Sequence, residues 1–297
     1  MYGTREPFDY SMCPRCGTLH LLNPPIAWGR YYPDDSYYSM QLNGFQDVST
    51  TSLRRLAFVE FLLRMPRIPS GGYSLRRTPQ WARWFRGLGL RRDSLILDVG
   101  CGAGRLLHLM AADGFTRLRG VDPFVDASYS YRNGVKILRG EISDIEDRFD
   151  LVMFNHSFEH MDDPSEVLEI VGRIVKPGGA VLIRIPVADS WAFREYGADW
   201  IGLDAPRHQY IFTSTSLQLL AERRGYRIAD VFFDSTGLQF WGSELYRQDS
   251  PLFPAGDLSH PADRFDAVQM NAFARRSMAL NAQGEGDQAG FILRRPA

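Results

Sequence analysis

The stretch from Ser94 to Gly104, SLILDVGCGAG, limits the folds open to this chain more than any other. Ser94 to Val99 is a short apolar run rich in branched residues, the pattern of a strand buried in a parallel sheet. Gly100, Gly102 and Gly104 follow directly, and a helical pattern starts at Arg105. Strand, glycine turn and helix start together make a cradle for a polar ligand. Glycine permits the sharp turn and a close approach by the ligand. The first turn of a helix adds unpaired N–H groups and a partial positive charge.

The dinucleotide pattern G-x-G-x-x-G would need a glycine where Arg105 stands, and no Walker lysine is present. A second strand is expected from Leu118 to Val121, with Asp122 at its end. A carboxylate one βαβ unit after a glycine turn can accept both hydroxyls of a ribose. With its ribose clamp, the stretch resembles the class I S-adenosylmethionine (SAM)-dependent methyltransferases, whose first motif is D-x-G-x-G-x-G. Asp98, Gly100, Gly102 and Gly104 match it in full, and Cys101 lies inside the loop. The resemblance implies SAM as cofactor. Asp98, Gly100, Gly102 and Gly104 would face its methionine and ribose end and Asp122 its ribose diol, with Cys101 and Pro123 also in the cofactor set.

From residue 94 the pattern alternates strand and helix, which argues a parallel sheet with helices on both faces. A third strand is expected over residues 135–138, followed by Glu141 and Ile142. In the resembling family an acidic residue here meets the adenine amino group, so Glu141 would accept that N–H and Ile142 pack on the ring. The fourth strand, over 149–154, leads into Asn155-His-Ser-Phe-Glu-His160. His156-x-x-Glu159-His160 spells a zinc-protease signature, but that motif belongs on a long helix and here it follows a strand. The same positions resemble the F-D-x-V and E-H elements of methyltransferases, and the resemblance extends Asn155 to the cofactor set. Certain quinone-pathway O-methyltransferases carry E-x-x-E-H here with a divalent cation. His156 stands in place of their first glutamate, which leaves a cation on His156, Glu159 and His160 open. Lys176-Pro-Gly-Gly179 is expected as a turn before a fifth strand over 180–185.

Residues 189–215 have no counterpart in a minimal Rossmann-like sheet. An insertion after the fifth strand lies beside the ligand crevice, where selectivity is usually built. Asp204, Pro206, Arg207, His208, Phe212 and Thr213 match the D-x-P-R-H-x-x-x-F-T of the resembling subgroup. His208 is the leading candidate to touch the nucleophile, with Arg207 and Tyr210 beside it. The alternative is an Arg207–Asp204 pair and a buried, hydrogen-bonded His208. Downstream, residues 239–245 and 280–293 resemble the Q-F-x-x-S-E and tail patterns of methyltransferases from polysaccharide and sugar biosynthesis clusters.

Before the glycine turn the signals are weaker. Cys13-Pro-Arg-Cys16 is a knuckle shape resembling half of a C-x-x-C zinc module. Two thiolates with His20 near them fall short of the four ligands of structural zinc, so zinc and a metal-free knuckle both stay open. Asp34 to Tyr38 reads as a surface turn near the substrate, and Leu53 to Met65 as an amphipathic helix. Thr78 is expected to cap a second helix with Pro79 in its first position. Between Arg54 and Arg92 there are ten arginines and one acid, Glu60, a local charge of 10 − 1 = +9. One reading is a phosphate-binding face with Trp81 and Trp84 as stacking platforms. The other packs the tryptophans on the sheet and leaves the arginines solvated.

The whole-chain charge of −1 argues against nucleic acid as the partner. No apolar run is long enough to span a bilayer and no signal-peptide pattern is present, so the expectation is no membrane and a cytoplasmic location. The expected architecture is α/β, a Rossmann-like seven-stranded class I methyltransferase sheet with an N-terminal cap. The cap takes residues 1–92 and the SAM domain 93–297, with a substrate-side insertion at 187–215. The expected activity is methyl transfer from SAM to an oxygen or carbon of a sugar, a nucleotide sugar or another polar small molecule. His160 and His208 are its candidate bases or acceptor-orienting groups. The alternatives are a nucleic-acid-binding methyltransferase and a non-catalytic SAM-binding protein. The sequence implies no oligomeric state.

Overall fold

The computed structural model describes residues 6–31, 52–65, 78–252 and 261–295. The turn expected at Asp34 to Tyr38 lies outside the described residues, as do Arg67, Arg76 and Arg77. The described chain opens on two short strands, Tyr10–Met12 (β1) and Leu19–Leu21 (β2). Helices Leu53–Arg64 (α1) and Gln80–Phe85 (α2) follow. The alternating part runs Ile96–Val99 (β3), Arg105–Ala112 (α3), Leu118–Asp122 (β4), Tyr129–Ser130 (β5), Lys136–Arg139 (β6) and Phe149–Asn155 (β7). It continues with Pro164–Ile174 (α4), Val175–Pro186 (β8), Trp191–Tyr196 (α5), Tyr210–Ile211 (β9) and Ser214–Arg223 (α6). Arg227–Phe233 (β10), Leu238–Arg247 (α7), Ala267–Gln283 (α8) and Gln288–Arg294 (β11) complete it.

The main sheet has the order β10-β11-β8-β7-β3-β4-β6-β5. β3 is parallel to β4 and β7, β4 to β6, and β7 to β8, while β11 runs antiparallel to β8 and β10. Its order from β10 to β6 gives the seven expected strands. The eighth, β5, is a two-residue antiparallel edge pairing too short to read as a periodic run. All four β3 residues are buried because both sheet faces are covered. On one face α4 and α6 bury Val167, Leu168, Val171, Leu217 and Ala221. On the other, Val59 and Leu62 of α1 and Trp81 and Trp84 of α2 join Leu107 and Met110 of α3. The buried positions of α1 and α4 recur at three- and four-residue spacing, the stripe that turns one helix face inward.

The arginine-rich segment is a packing surface. Trp81 and Trp84 are buried, and their indole N–H groups donate to Asp113 at 2.8 Å and Asp234 at 2.9 Å. The stacking-platform reading is therefore corrected: rings sealed in the core present no face to a base. Among the arginines, Arg55 pairs with Asp113, Arg92 with Glu60 and Arg91 with Asp93. The cap expectation shifts too. Pro79 is the N-cap of α2, and Thr78 caps nothing; its hydroxyl is buried without a partner.

Two further differences follow from local pairing. β8 begins at Val175, opposite Phe149, but resumes pairing only at Ala180, opposite Leu151. The Lys176–Gly179 turn is thus a bulge inside a long strand, with Gly178 at φ +76°. The N-terminal hairpin β1–β2 joins β9 of the insertion in a second, three-stranded sheet. Among the described residues no helix is long and apolar enough to cross a membrane.

Candidate active site

The glycine turn sits at the C-terminal ends of β3 and β4, and the structure shows why no side chain fits it. Gly100 has φ +71°, and a Cβ there would lie 2.4 Å from the Ser157 Cβ. Gly104, the N-cap of α3, has φ +82°, and its Cβ would meet Ile137 at 2.5 Å. The turn is tied to its neighbour strand, since Gly100 N–H donates to Val121 O at 2.8 Å. Asp122 completes it: one carboxylate oxygen accepts from Gly102 N–H at 2.7 Å, the other from Phe124 N–H at 2.9 Å.

A cavity of about 560 Å³ opens above this turn. Asp98, Gly100, Cys101, Asp122, Pro123, Glu141, Ile142, Asn155 and His160 line it, as the sequence reading anticipates. Gly102, Gly104 and His208 do not line it. Gly102 spends its N–H on Asp122, and Gly104 packs under α3. Sequence reasoning missed Trp28, Gln80, Arg105, Ser157, Asp162 and Gln209, which also line the cavity. Trp28 and Gln80 come from segments with no motif. Asp162 and Gln209 flank motif residues, the one signal that points to them.

Charge on the floor of the cavity is set by burial. Burial pushes the Asp98 carboxyl well up, and the nearby Asp122 charge pushes it further. Burial raises Asp122 too, against the Phe124 and Gly102 N–H groups and His160, which favour its anion. The Cys101 thiol is raised well above its usual range by burial and by both carboxylates.

The far wall is built by β7 and the insertion. The short turn Phe158–His160 after β7 carries Glu159, whose side chain is wholly buried. Neither Glu159 oxygen has a hydrogen-bond partner. Around it stand His156 Nδ1 at 3.5 Å and His208 Nε2 at 3.8 Å, with the His160 ring 4.8 Å from that of His208. Burial pushes the Glu159 carboxyl up, but the three imidazoles outweigh it and hold the group below the usual carboxylate range. His160 is lowered by burial and by His208, which keeps the ring neutral near pH 7. Its Nδ1 meets Arg207 O at 2.7 Å, and Nδ1 of His208 meets Gly202 O at 2.8 Å. A carbonyl only accepts, so both rings carry a proton on Nδ1, and the neutral His160 ring presents Nε2 as an acceptor.

His208 is only 8% exposed and stands behind His160. Direct contact between His208 and a substrate in the cavity is therefore corrected to a supporting place. Arg207 is buried on Asp204, the alternative reading of that motif. Charge pairing with Arg207 and His208 outweighs the burial of Asp204 and holds its carboxyl at about 2. Tyr210 stacks on His20 with ring centroids 4.7 Å apart.

Among the described residues one group of three metal-capable side chains comes together: Glu159, His160 and His208, with donor atoms within 4.8 Å of one another. The cation reading on His156, Glu159 and His160 is thus moved by one ligand, because Arg184 occupies His156 Nε2. An orphaned buried carboxylate and two carbonyl-anchored imidazoles form a donor set suited to a borderline divalent cation. Cys13 and Cys16 are free thiols, and no third donor is grouped with them among the described residues.

A parallel sheet with a glycine turn and an acidic residue at the next strand end is the class I, SAM-dependent methyltransferase arrangement. Residues 73–231 match the family described as Methyltransferase domain, and the chain belongs to it. The cofactor of this class of enzymes is SAM. Among curated proteins, the ubiquinone biosynthesis O-methyltransferase of Pseudomonas fluorescens (strain SBW25) is 34% identical over 132 residues, 39% of this chain and 56% of that protein. The protein of the same description from Aeromonas salmonicida (strain A449) is 29% identical over 155 residues, 46% of this chain and 64% of its own length. The chain thus spans less than two thirds of the length of these relatives. Among solved structures, a SAM-dependent methyltransferase from Archaeoglobus fulgidus has a TM-score of 0.42 at 17% identity, covering 68% of this chain and 86% of its own.

Proposed function

We propose that the chain transfers the SAM methyl group to a hydroxyl oxygen of a polar small molecule, with sugars, presented as nucleotide sugars, as the acceptor class. One observation carries the reading: a single hollow is lined by Gly100, Asp122 and Glu141 of the glycine-turn half together with His160 and Asp162 after β7 and Gln209 of the insertion. The hydroxyl acceptor is supported by the relatives described as O-methyltransferases. The sugar class is supported by the polar wall and by the tail patterns at residues 239–245 and 280–293.

In this reading Asp98, Gly100 and Cys101 border the methionine end, Asp122 with Pro123 holds the ribose diol, Glu141 accepts from the adenine amino group, and Ile142 and Asn155 flank the base and the sulfonium. The sulfonium is already a good leaving group, so the protein mainly holds the acceptor oxygen on the S–CH3 axis. As the O–CH3 bond forms, the C–S bond breaks and its electron pair stays on sulfur. The hydroxyl proton passes to His160 Nε2, a neutral acceptor because Nδ1 is committed to Arg207 O. His208 supports His160 from behind. A divalent cation, when bound, would be held by Glu159, His160 and His208; it would occupy His160 Nε2 in place of the proton and supply Lewis-acid polarisation of the acceptor oxygen, so the two roles of His160 are alternatives. The β1–β2 hairpin with the insertion 187–215 forms the acceptor-side cap, whereas α1 and α2, expected in the cap, pack on the main sheet beside α3.

Calorimetry with SAM tests the first half. Binding that weakens in Asp122→Ala is expected, and absence of binding to the unmodified protein overturns the reading. Mass spectrometry after incubation with SAM and a panel of nucleotide sugars and catechol-type phenols tests the second. A gain of one methyl on a sugar supports the acceptor class, and a gain confined to phenols overturns it.

A further inference from the structure

His156 is held in a costly conformation by a buried cluster that the chemistry above does not use. Its φ is +58°, the left-handed region that a non-glycine residue seldom enters. The kink has a purpose: it turns Ser157 back beneath the glycine loop, where the Ser157 hydroxyl donates to Val99 O at 2.5 Å. Ser157 is the residue that leaves no room for a side chain at Gly100. The geometry of the cofactor loop therefore depends on how the end of β7 is pinned.

The pin is Arg184, on the neighbouring strand β8. Its side chain is 5% exposed and pairs with Asp234, 7% exposed, through Nε at 2.9 Å. Asp234 is itself fixed by Trp84 Nε1 at 2.9 Å and Gln288 Nε2 at 2.5 Å, and the guanidinium lies 4.9 Å from the Trp84 ring centroid. So anchored, Arg184 Nη1 donates to Asn155 Oδ1 at 2.9 Å and to His156 Nε2 at 2.5 Å, while Arg184 O accepts from His156 N–H at 2.9 Å. Arginine has donors only, so His156 Nε2 must accept and the ring proton sits on Nδ1. Nδ1 is the atom facing Glu159 Oε1 at 3.5 Å. Reversing the tautomer would set two N–H groups against each other at Nε2 and turn a lone pair toward a buried carboxylate.

We propose that Arg184 is a positioning residue: through Asn155 and His156 it fixes the floor beneath the transferred methyl group and selects the Nδ1–H tautomer of His156 that faces Glu159. The inference rests on the site being a SAM site. Asn155 and His156 line the cavity, whereas Arg184 does not, so Arg184 acts only through them.

The test uses the full chain with 15N-labelled histidine and compares the unmodified protein with Arg184→Met and Arg184→Lys. Long-range 1H–15N spectra read the His156 tautomer, calorimetry reads SAM affinity, and thermal melting reads stability. The unmodified protein should show His156 protonated on Nδ1 alone. Arg184→Met should give mixed tautomers and weaken SAM on the order of tenfold, the loss of one charge-assisted hydrogen bond. Arg184→Lys keeps a cation opposite Asp234 and so guards against failure to fold; it should show the same direction of both changes. A lowered melting temperature with tautomer and SAM affinity unchanged in both Arg184 variants would reduce the cluster to a stability element and overturn the proposal. Failure of the unmodified protein to bind SAM would instead strike at the functional reading itself.

Discussion

The Asp122 carboxylate accepts the Gly102 backbone N–H at 2.7 Å, which makes the glycine turn and the strand-end acid one hydrogen-bonded unit. The acid shapes the turn before any ligand arrives. Asp122→Asn keeps an acceptor but can set an NH2 against either the Gly102 or the Phe124 N–H. The expected result is SAM affinity lower by about ten- to a hundredfold, the range for losing a charged hydrogen bond. Calorimetry measures it.

Gly100→Ala tests the close approach of β7. The new Cβ would meet Ser157 Cβ at 2.4 Å on a backbone at φ +71°. A cost of about 2 kcal/mol or more is expected from the left-handed backbone and the clash together. Urea unfolding of Gly100→Ala in the Ser157→Gly background separates them, because only the clash is relieved there.

Acid should loosen the fold through Asp234. Burial opposes its ionisation, but the Arg184 charge and the Gln288 and Trp84 donors outweigh burial and lower its carboxyl. A carboxyl depressed in the folded state contributes stability that is complete above the unfolded value of about 3.9 and lost as pH falls through the folded one. Thermal midpoints between pH 2 and pH 7 should fall on the acid side. In Asp234→Asn the midpoint should start lower at neutral pH and decline less with acid.

The two histidines of the far wall should separate by kinetics. His160 lines the cavity and His208 stands behind it. His160→Asn is expected to lower kcat by about a hundredfold or more, the usual worth of a positioned base, with SAM affinity unchanged. His208→Asn should lower kcat less, and steady-state kinetics on the acceptor found by mass gain measures both.

What could be read from sequence divides by range. The cofactor half was legible because a buried parallel strand, a glycine turn and a strand-end carboxylate are local patterns with local causes, and β3, β4, β6 and β7 stand within a residue or two of the expected runs. Glu141 and Asn155 could be placed at the crevice because strand ends in a parallel sheet share one rim. His208 was misplaced by one layer, since a motif shows that a residue matters but not which side of Glu159 it occupies. Trp84 and Arg184 carried no signal for their partnership with Asp234, which joins a helix, a strand and a strand end far apart in the chain. Gln80 and Trp28 reach the cavity from segments whose fold depends on packing rather than on period.

The strand pairing of Leu19 and His20 with β9 ties the opening hairpin to the insertion, whose Arg207 and Gln209 line the cavity. Tyr10 donates to His208 O at 2.7 Å and Thr213 to Cys16 O at 2.7 Å, so two side-chain stitches join segments nearly two hundred residues apart. Trimming the protein back to its glycine-turn half, the obvious route to a smaller reagent, would unpick those stitches and leave β9 without a neighbour. A truncated form that still grips the cofactor but has lost its choice of acceptor is the outcome this seam implies.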